Sequence, residues 1–156
     1  MSESIRRFRF EGHDAITLPA RREAFELLEE WLSGIAAELR LPARTARQLM
    51  VAADEVFTNI SSYGYPSGQG TATAEVAFDL AAGELTLVFR DEGVAFNPLS
   101  AASEPPSGPL AERAPGGLGI FLVRKLMDTA TYRREDGRNV LTLTKRVAGE
   151  PERLDG

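Results

Sequence analysis

At 156 residues, with 43% hydrophobic and 26% charged side chains, the chain is sized for one globular domain with a real core, and no second domain is expected. A net charge of −5 and a pI near 5.0 argue against a dedicated binder of nucleic acid or anionic membranes, which needs surplus Lys and Arg to meet phosphates. The lack of cysteine excludes disulfides and thiolate metal sites. The start is polar and carries Arg, and no apolar run nears the roughly 20 residues of a membrane span, so a cytoplasmic protein without a membrane anchor is expected.

Residues 4–12, SIRRFRFEG, alternate Phe8 and Phe10 with Arg7 and Arg9, the period-two pattern of a half-exposed strand suited to a sheet edge. The arginines fit a solvated face or an acidic partner. His13, the one histidine, is expected in a solvated loop just past this strand. After Pro19, the residues Phe25, Leu28, Leu32, Ile35 and Leu39 recur at three- and four-residue steps and predict an amphipathic helix over 21–40, broken by Leu41-Pro42. A second helix is predicted over 43–63. Its buried face is Ala46, Leu49, Met50, Ala53, Val56, Phe57 and Ile60, and Gly64 and Pro66 end it.

Residues 71–80, TATAEVAFDL, alternate again, with Ala72, Ala74, Val76, Phe78 and Leu80 on one side. They pair as an antiparallel hairpin with 84–91, ELTLVFRD. From 99 to 115 the chain turns to Ser, Ala, Pro and Gly, with Pro105, Pro106, Pro109 and Pro115, so neither helix nor strand is predicted. A loop this long in a compact domain is often functional. Glycines then feed a helix over 116–128, a last hairpin turns at Asp136-Gly137, and the tail 149–156 is expected to fray. The resulting fold class is α+β. It is a two-layer α/β sandwich with a mixed, mostly antiparallel sheet covered by helices on one face, not a doubly wound parallel sheet.

Three stretches carry residue types suited to chemistry. In DEVFTNISSYGYP, Glu55 and Asn59 stand one helical turn apart on the side away from the middle of the apolar stripe. The pair reads as the wet side of a surface helix, or as a carboxylate base beside an amide oxygen able to ligate Mg²⁺. In VFRDEGVAFNP, Asp91 and Gly93 fit a plain turn, or a carboxylate that accepts a hydrogen bond from an exocyclic amine such as that of adenine. In PGGLGIFLVRKLMD, Gly116, Gly117 and Gly119 cap or hinge a loop, or bare backbone N–H groups to phosphate where a helix begins. The spacing is neither a dinucleotide fingerprint nor a Walker A loop.

Together and in this order, the three stretches resemble the GHKL (Bergerat-fold) ATP-binding domains, most closely the small anti-sigma-factor serine/threonine kinases of the RsbW and SpoIIAB type. DEVFTN resembles that family's N box, DEGVAFNP its first glycine box, and GGLGIFLVRKLMD its second. The resemblance spans residues 1–148 as a single kinase domain, and it implies ATP and Mg²⁺. It gives Glu55 the role of general base and Asn59 that of Mg²⁺ ligand. Asp91 would take the adenine amino group, with Gly93 letting the base lie close and Phe96 beside it. Gly117, Leu118 and Gly119 would bind phosphates, and residues 99–115 would form an ATP lid from which Arg113 can reach the γ-phosphate.

The chain departs from the pattern at two places. Tyr63 stands where relatives often have His, and Asn139 stands in the last hairpin where relatives carry Thr; the resemblance makes Asn139 a nucleotide-binding residue, able to donate and accept hydrogen bonds. The resemblance further implies partner switching. A sigma factor or another regulator is bound and silenced, a Ser or Thr of a STAS-domain anti-anti-sigma protein is phosphorylated, and the protein forms a homodimer without touching nucleic acid or membrane. The competing classes are a module that binds its target under nucleotide control without phosphoryl transfer, and the catalytic half of a histidine kinase. Glu55 favours the enzyme over the module, and a helical segment with a phospho-acceptor histidine ahead of the domain, as a histidine kinase needs, is not expected.

Overall fold

The computed structural model describes residues 6–10, 12–101 and 117–147, with backbone alone at 6–10, 101, 117 and 118. In chain order the elements are β1 (Arg6–Phe10), β2 (His13–Pro19), α1 (Phe25–Glu38), α2 (Ala43–Asn59), β3 (Thr71–Asp79), β4 (Glu84–Asp91), α3 (Gly117–Leu126), β5 (Thr129–Glu135) and β6 (Arg138–Arg146). The strands form one sheet in the order β1-β2-β3-β4-β6-β5. Every ladder is antiparallel, so the sheet is not mixed. Among the described residues no helix is long and apolar enough to cross a membrane.

β2 is the element the sequence pattern hid. Its inward positions are Asp14, Ile16 and Leu18, and a buried aspartate at the head of the alternation masks the signal. The carboxylate is accommodated because Trp31 of α1 donates its indole N–H to Asp14 Oδ1 at 2.9 Å, a hydrogen bond to a charged acceptor that offsets burial. His13 therefore opens a strand and does not sit in a loop. It pairs with Ala77 in the ladder and stands 3.2 Å from Glu75, which also takes Arg90 at 2.7 Å. Burial alone would raise the Glu75 carboxyl, but Arg90 and then His13 outweigh it and hold it below the usual carboxylate range.

Alternation along the remaining strands sends Ala72, Ala74, Val76, Leu85, Leu87, Phe89, Leu141 and Leu143 to the covered face. Leu28, Trp31, Leu32 and Ile35 of α1, Leu49, Ala52, Ala53, Val56 and Phe57 of α2, and Ile120 and Val123 of α3 close over them. Ala46 and Met50, expected inside, are only half-buried. Leu80, expected on the inward side, is 82% exposed because β3 ends at Asp79 and Leu80 starts the turn. The last hairpin turns where expected, with positive φ at both Asp136 (54°) and Gly137 (76°), the geometry that matches strand twist in a two-residue turn. The long loop opens with a short 3-10 turn at Pro98–Ala101, which the prolines had obscured. Arg113, the rest of the expected lid at 102–115 and the tail from 149 lie outside the described residues.

α2 ends at Asn59 and passes into a single π-type turn at Ile60–Gly64. This turn sets the end of α2 against the chain leaving β4. Val94 N–H donates to Gly64 O at 2.8 Å, and a Cβ at Gly93 would run into the carbonyl oxygen, carbonyl carbon and Cα of Gly64. The obstacle is backbone and cannot rotate away. Gly93→Ala is expected to destabilise the fold by about 1–3 kcal/mol, read as a lower denaturant midpoint at unchanged slope, and an unchanged midpoint would contradict the contact.

α1 meets α2 through a carboxyl pair. Burial, then the hydrogen bond and charge of Glu29, then the charge of Glu55 push Asp54 up to about 7, from an ordinary value of 3.8. The folded state holds this proton more tightly than the unfolded chain, so the contribution to stability is full below about pH 3.8 and is lost as pH rises through about 7. Asp54→Asn keeps a donor toward Glu29 at every pH. It should melt about 2–4 °C above wild type at pH 8, the effect of about 1 kcal/mol in a domain of this size, with the difference shrinking as pH falls and gone only near pH 3.8. Thermal melts across that range check it.

Candidate functional site

The end of α2, the π-type turn, the exit of β4, and β5 and β6 line a pocket whose empty space, its open mouth included, is about 430 Å³. Val56, Ile60, Phe89, Val94, Phe96 and Leu141 supply an apolar lining, and Asn59, Asp91 and Asn139 its polar points. All three polar residues are 7% exposed. A buried carboxylate and two buried amides facing one apolar cavity are costly to maintain without partners, so where their hydrogen bonds go is informative.

Asp91 ends β4 on the covered face, opposite Asn139 in the ladder. Both of its described hydrogen bonds fall on Oδ1, from Gly93 N–H at 2.9 Å and Asn139 Nδ2 at 3.0 Å. Oδ2 meets no donor among the described residues. Gly93 is locked in turn, since Arg134 donates to its carbonyl at 2.9 Å. Tyr65 ties down the neighbouring residue: its hydroxyl accepts Glu92 N–H at 2.8 Å and donates to Thr71 O at 2.6 Å. Burial first, and the nearby Asp91 and Glu92 carboxylates, keep that hydroxyl above the usual tyrosine range and so protonated.

Asn59 and Glu55 do not lie on a wet face. At about 100° per residue, Asn59 falls roughly 80° and Glu55 roughly 120° from the middle of the α2 stripe, and α3 packs along that flank. Asn59 is consequently buried, and its Nδ2 has no hydrogen-bond partner. Glu55 is half-buried and has no hydrogen bond or ion pair among the described residues. Its Oε1 occupies the space a Cβ at Gly119 would need. Gly119 lies in the first turn of α3, which begins at Gly117, so the carboxylate stands beside a helix N-terminus whose backbone N–H groups favour anions. Leu118 lies between the two glycines, its side chain outside the described residues.

The fold thus brings Asn59, Asp91, Phe96 and Asn139 to one cavity and sets Glu55 against Gly119 one helical turn from Asn59. Phe96 lines the cavity, and its ring lies 6.5 Å from that of Tyr63, tilted by 48°. Tyr65, Tyr132 and Arg134 were not singled out in the sequence. Their roles depend on long-range hydrogen bonds, and a lone Tyr or Arg in a hairpin carries no periodic signal. The open Oδ2 of Asp91 beside an apolar slot is what a flat heterocycle carrying an amine would complete, and the adenine of a nucleotide is of that kind.

Residues 18–145 match the profile of the histidine kinase-like ATPase domain. The serine/threonine-protein kinase BtrW of Bordetella bronchiseptica is 37% identical over 120 residues, covering 77% of this chain and 84% of that protein. The serine-protein kinase RsbW of Halalkalibacterium halodurans is 30% identical over 148 residues, 90% of this chain and 88% of the relative. That of Bacillus mycoides is 28% identical over 145 residues, covering 89% and 88%. A profile match over most of the length, with relatives aligned nearly end to end, agrees with the sheet order and the pocket: the chain belongs to the histidine kinase-like ATPase domain family, on the branch of the RsbW-type serine-protein kinases.

Proposed function

We propose that this protein, as a serine/threonine kinase of that family, binds ATP with Mg²⁺ in the pocket between α2, β4 and β6. It passes the terminal phosphoryl group to a Ser or Thr of a STAS-domain anti-anti-sigma protein. The observation that carries the reading is the placement of Glu55, a carboxylate with no hydrogen bond or ion pair among the described residues, beside the glycine-rich start of α3. Phosphoryl transfer asks the protein mainly for positioning and charge neutralisation, with a group to orient the acceptor hydroxyl. Asp91 Oδ2 accepts the exocyclic amine of the purine, Gly93 lets the Gly64 backbone close beside that carboxylate, and Phe96 packs on the ring. Gly117 and Gly119 present backbone N–H groups to the phosphates, and Glu55 takes the proton of the incoming hydroxyl. Asn59, a buried oxygen donor of the kind a hard cation accepts, would hold Mg²⁺, which when bound neutralises phosphate charge.

The partner switch extends this proposal. The protein holds a sigma factor or another regulator until the STAS protein competes for it. Phosphorylation adds about −1.5 to −2 charge to that competitor at neutral pH and releases it. This reading puts the protein in the cytoplasm. A homodimer belongs to the same proposal, with β1 and α1 as its candidate surfaces, and so does the lid at 99–115 with Arg113.

The test is transfer from labelled ATP to STAS-domain proteins of the same genome. Glu55→Gln should lower the transfer rate by about 10²-fold or more with ATP affinity within a few-fold of wild type. Tight nucleotide binding by wild type with no transfer to any such protein would reduce it to a binding module. Gly119→Ala separates geometry from fold, because the new Cβ displaces only the far end of the Glu55 side chain. Transfer should fall about tenfold or more while the melting temperature stays within about 2 °C, at most about 1 kcal/mol. Wild-type transfer in that variant would show that the Glu55 position is unimportant.

A further inference from the structure

Asn139 is the most fully engaged side chain at the site. Its Nδ2 donates to Asp91 Oδ1 at 3.0 Å and to Val94 O at 2.9 Å, and its Oδ1 accepts from Phe96 N–H at 3.2 Å and from Tyr132 Oη at 2.5 Å. An asparagine amide offers two donors and two acceptor lone pairs, and all four are taken. The orientation has one solution, since Val94 O can only accept and Phe96 N–H can only donate. Nothing is left on this buried amide for a ligand.

Its four partners come from three segments: the end of β4, the chain that leaves it, and β5. Both donors on Asp91 converge on the same oxygen, which fixes the rotation of the carboxylate and turns Oδ2 away from them. No other side chain of this size makes the set. Aspartate has no donor, threonine has one hydroxyl, and glutamine is a methylene too long for a partner directly opposite in the ladder.

We propose that Asn139 is a positioning residue that sets the purine preference of the pocket. It clamps the carboxylate of Asp91 in the rotation that accepts an exocyclic amine, and it does not touch the base itself. The proposal rests on the reading that Asp91 receives the purine amine. Inosine triphosphate differs from ATP in carrying a carbonyl where ATP carries that amine, so the ratio of the two affinities reports the alignment of Asp91.

The experiment is calorimetric titration of ATP and inosine triphosphate, each with Mg²⁺, into wild type, Asn139→Ala, Asp91→Asn and the double variant, with melting curves of each. Wild type should favour ATP by about tenfold or more, in line with a charge-assisted hydrogen bond. Asn139→Ala should weaken ATP about tenfold with little change for inosine triphosphate, bringing the ratio toward one. Asp91→Asn should abolish or invert the preference, and adding Asn139→Ala to it should leave the ratio where Asp91→Asn put it, because coupled residues do not add.

Equal weakening of both nucleotides in Asn139→Ala would show a purely structural role and overturn the proposal. A further change of ratio in the double variant would show direct contact with the base and also overturn it. Should Asn139→Ala fail to fold, Tyr132→Phe, which removes one of the four bonds, carries the test: a ratio reduced about threefold supports the clamp and an unchanged ratio overturns it. A wild type without preference, unaffected by Asp91→Asn, refutes the Asp91 assignment and the clamp with it, a pattern distinct from a preference that survives Asn139→Ala.

Discussion

The site depends on one backbone contact, the approach of Gly64 to Gly93 and Val94. The helix layer and the sheet layer carry different halves of the chemistry: Glu55 and Asn59 come from α2, Asp91 from β4. At the level of the pocket the π-type turn ties the two layers together, the Gly64 carbonyl accepting Val94 N–H at 2.8 Å. A side chain on Gly93 cannot fit there, so the separation between acid and amide on one wall and carboxylate on the other is fixed by main chain. Wider spacing would leave the pocket open to water, and each polar group would then be hydrated instead of poised.

Polar atoms around the pocket divide into two sets. Asn139, Asp91 Oδ1, the Tyr65 hydroxyl and the Gly93 carbonyl are all bonded to other parts of the protein. Asp91 Oδ2, the amide nitrogen of Asn59 and the Glu55 carboxylate have no such bond among the described residues. The first set makes a rigid frame. The second retains the desolvation cost of unpaired polar groups, which a ligand that pairs them relieves. A frame whose bonds are satisfied and a lining whose bonds are open is the arrangement that makes a site selective without a large movement on binding.

Much of this was legible in the sequence. The apolar stripes of α1 and α2, the β3–β4 hairpin and the Asp136-Gly137 turn follow from local periodicity and turn chemistry, and the three motif stretches followed from residue type and spacing. What was hidden depended on tertiary partners. β2 was lost because Asp14 interrupts an apolar alternation, and its burial draws on a hydrogen bond from Trp31, on another element. Periodicity puts Glu55 and Asn59 on the side away from the apolar stripe and cannot put them under α3, since α3 arrives from far along the chain. Asn139 looked like a ligand contact because its type is suitable; that its amide is saturated could be known only from Val94, Phe96 and Tyr132.

The sheet order carries an implication for how such a protein can diversify. β4 and β6 are hydrogen-bonded neighbours although α3 and β5 intervene in sequence, so everything between Asp91 and Arg138 is one excursion from a seam already closed by the ladder. Its two sides are fastened near the base, where Arg124 of α3 donates to Leu99 O at 3.3 Å. Lengthening a segment whose ends are pinned costs little, about 0.6 kcal/mol for each doubling. Insertions and deletions there can therefore accumulate while strand register stays put, and descendants of one ancestral scaffold can acquire different coverings without relearning how to fold.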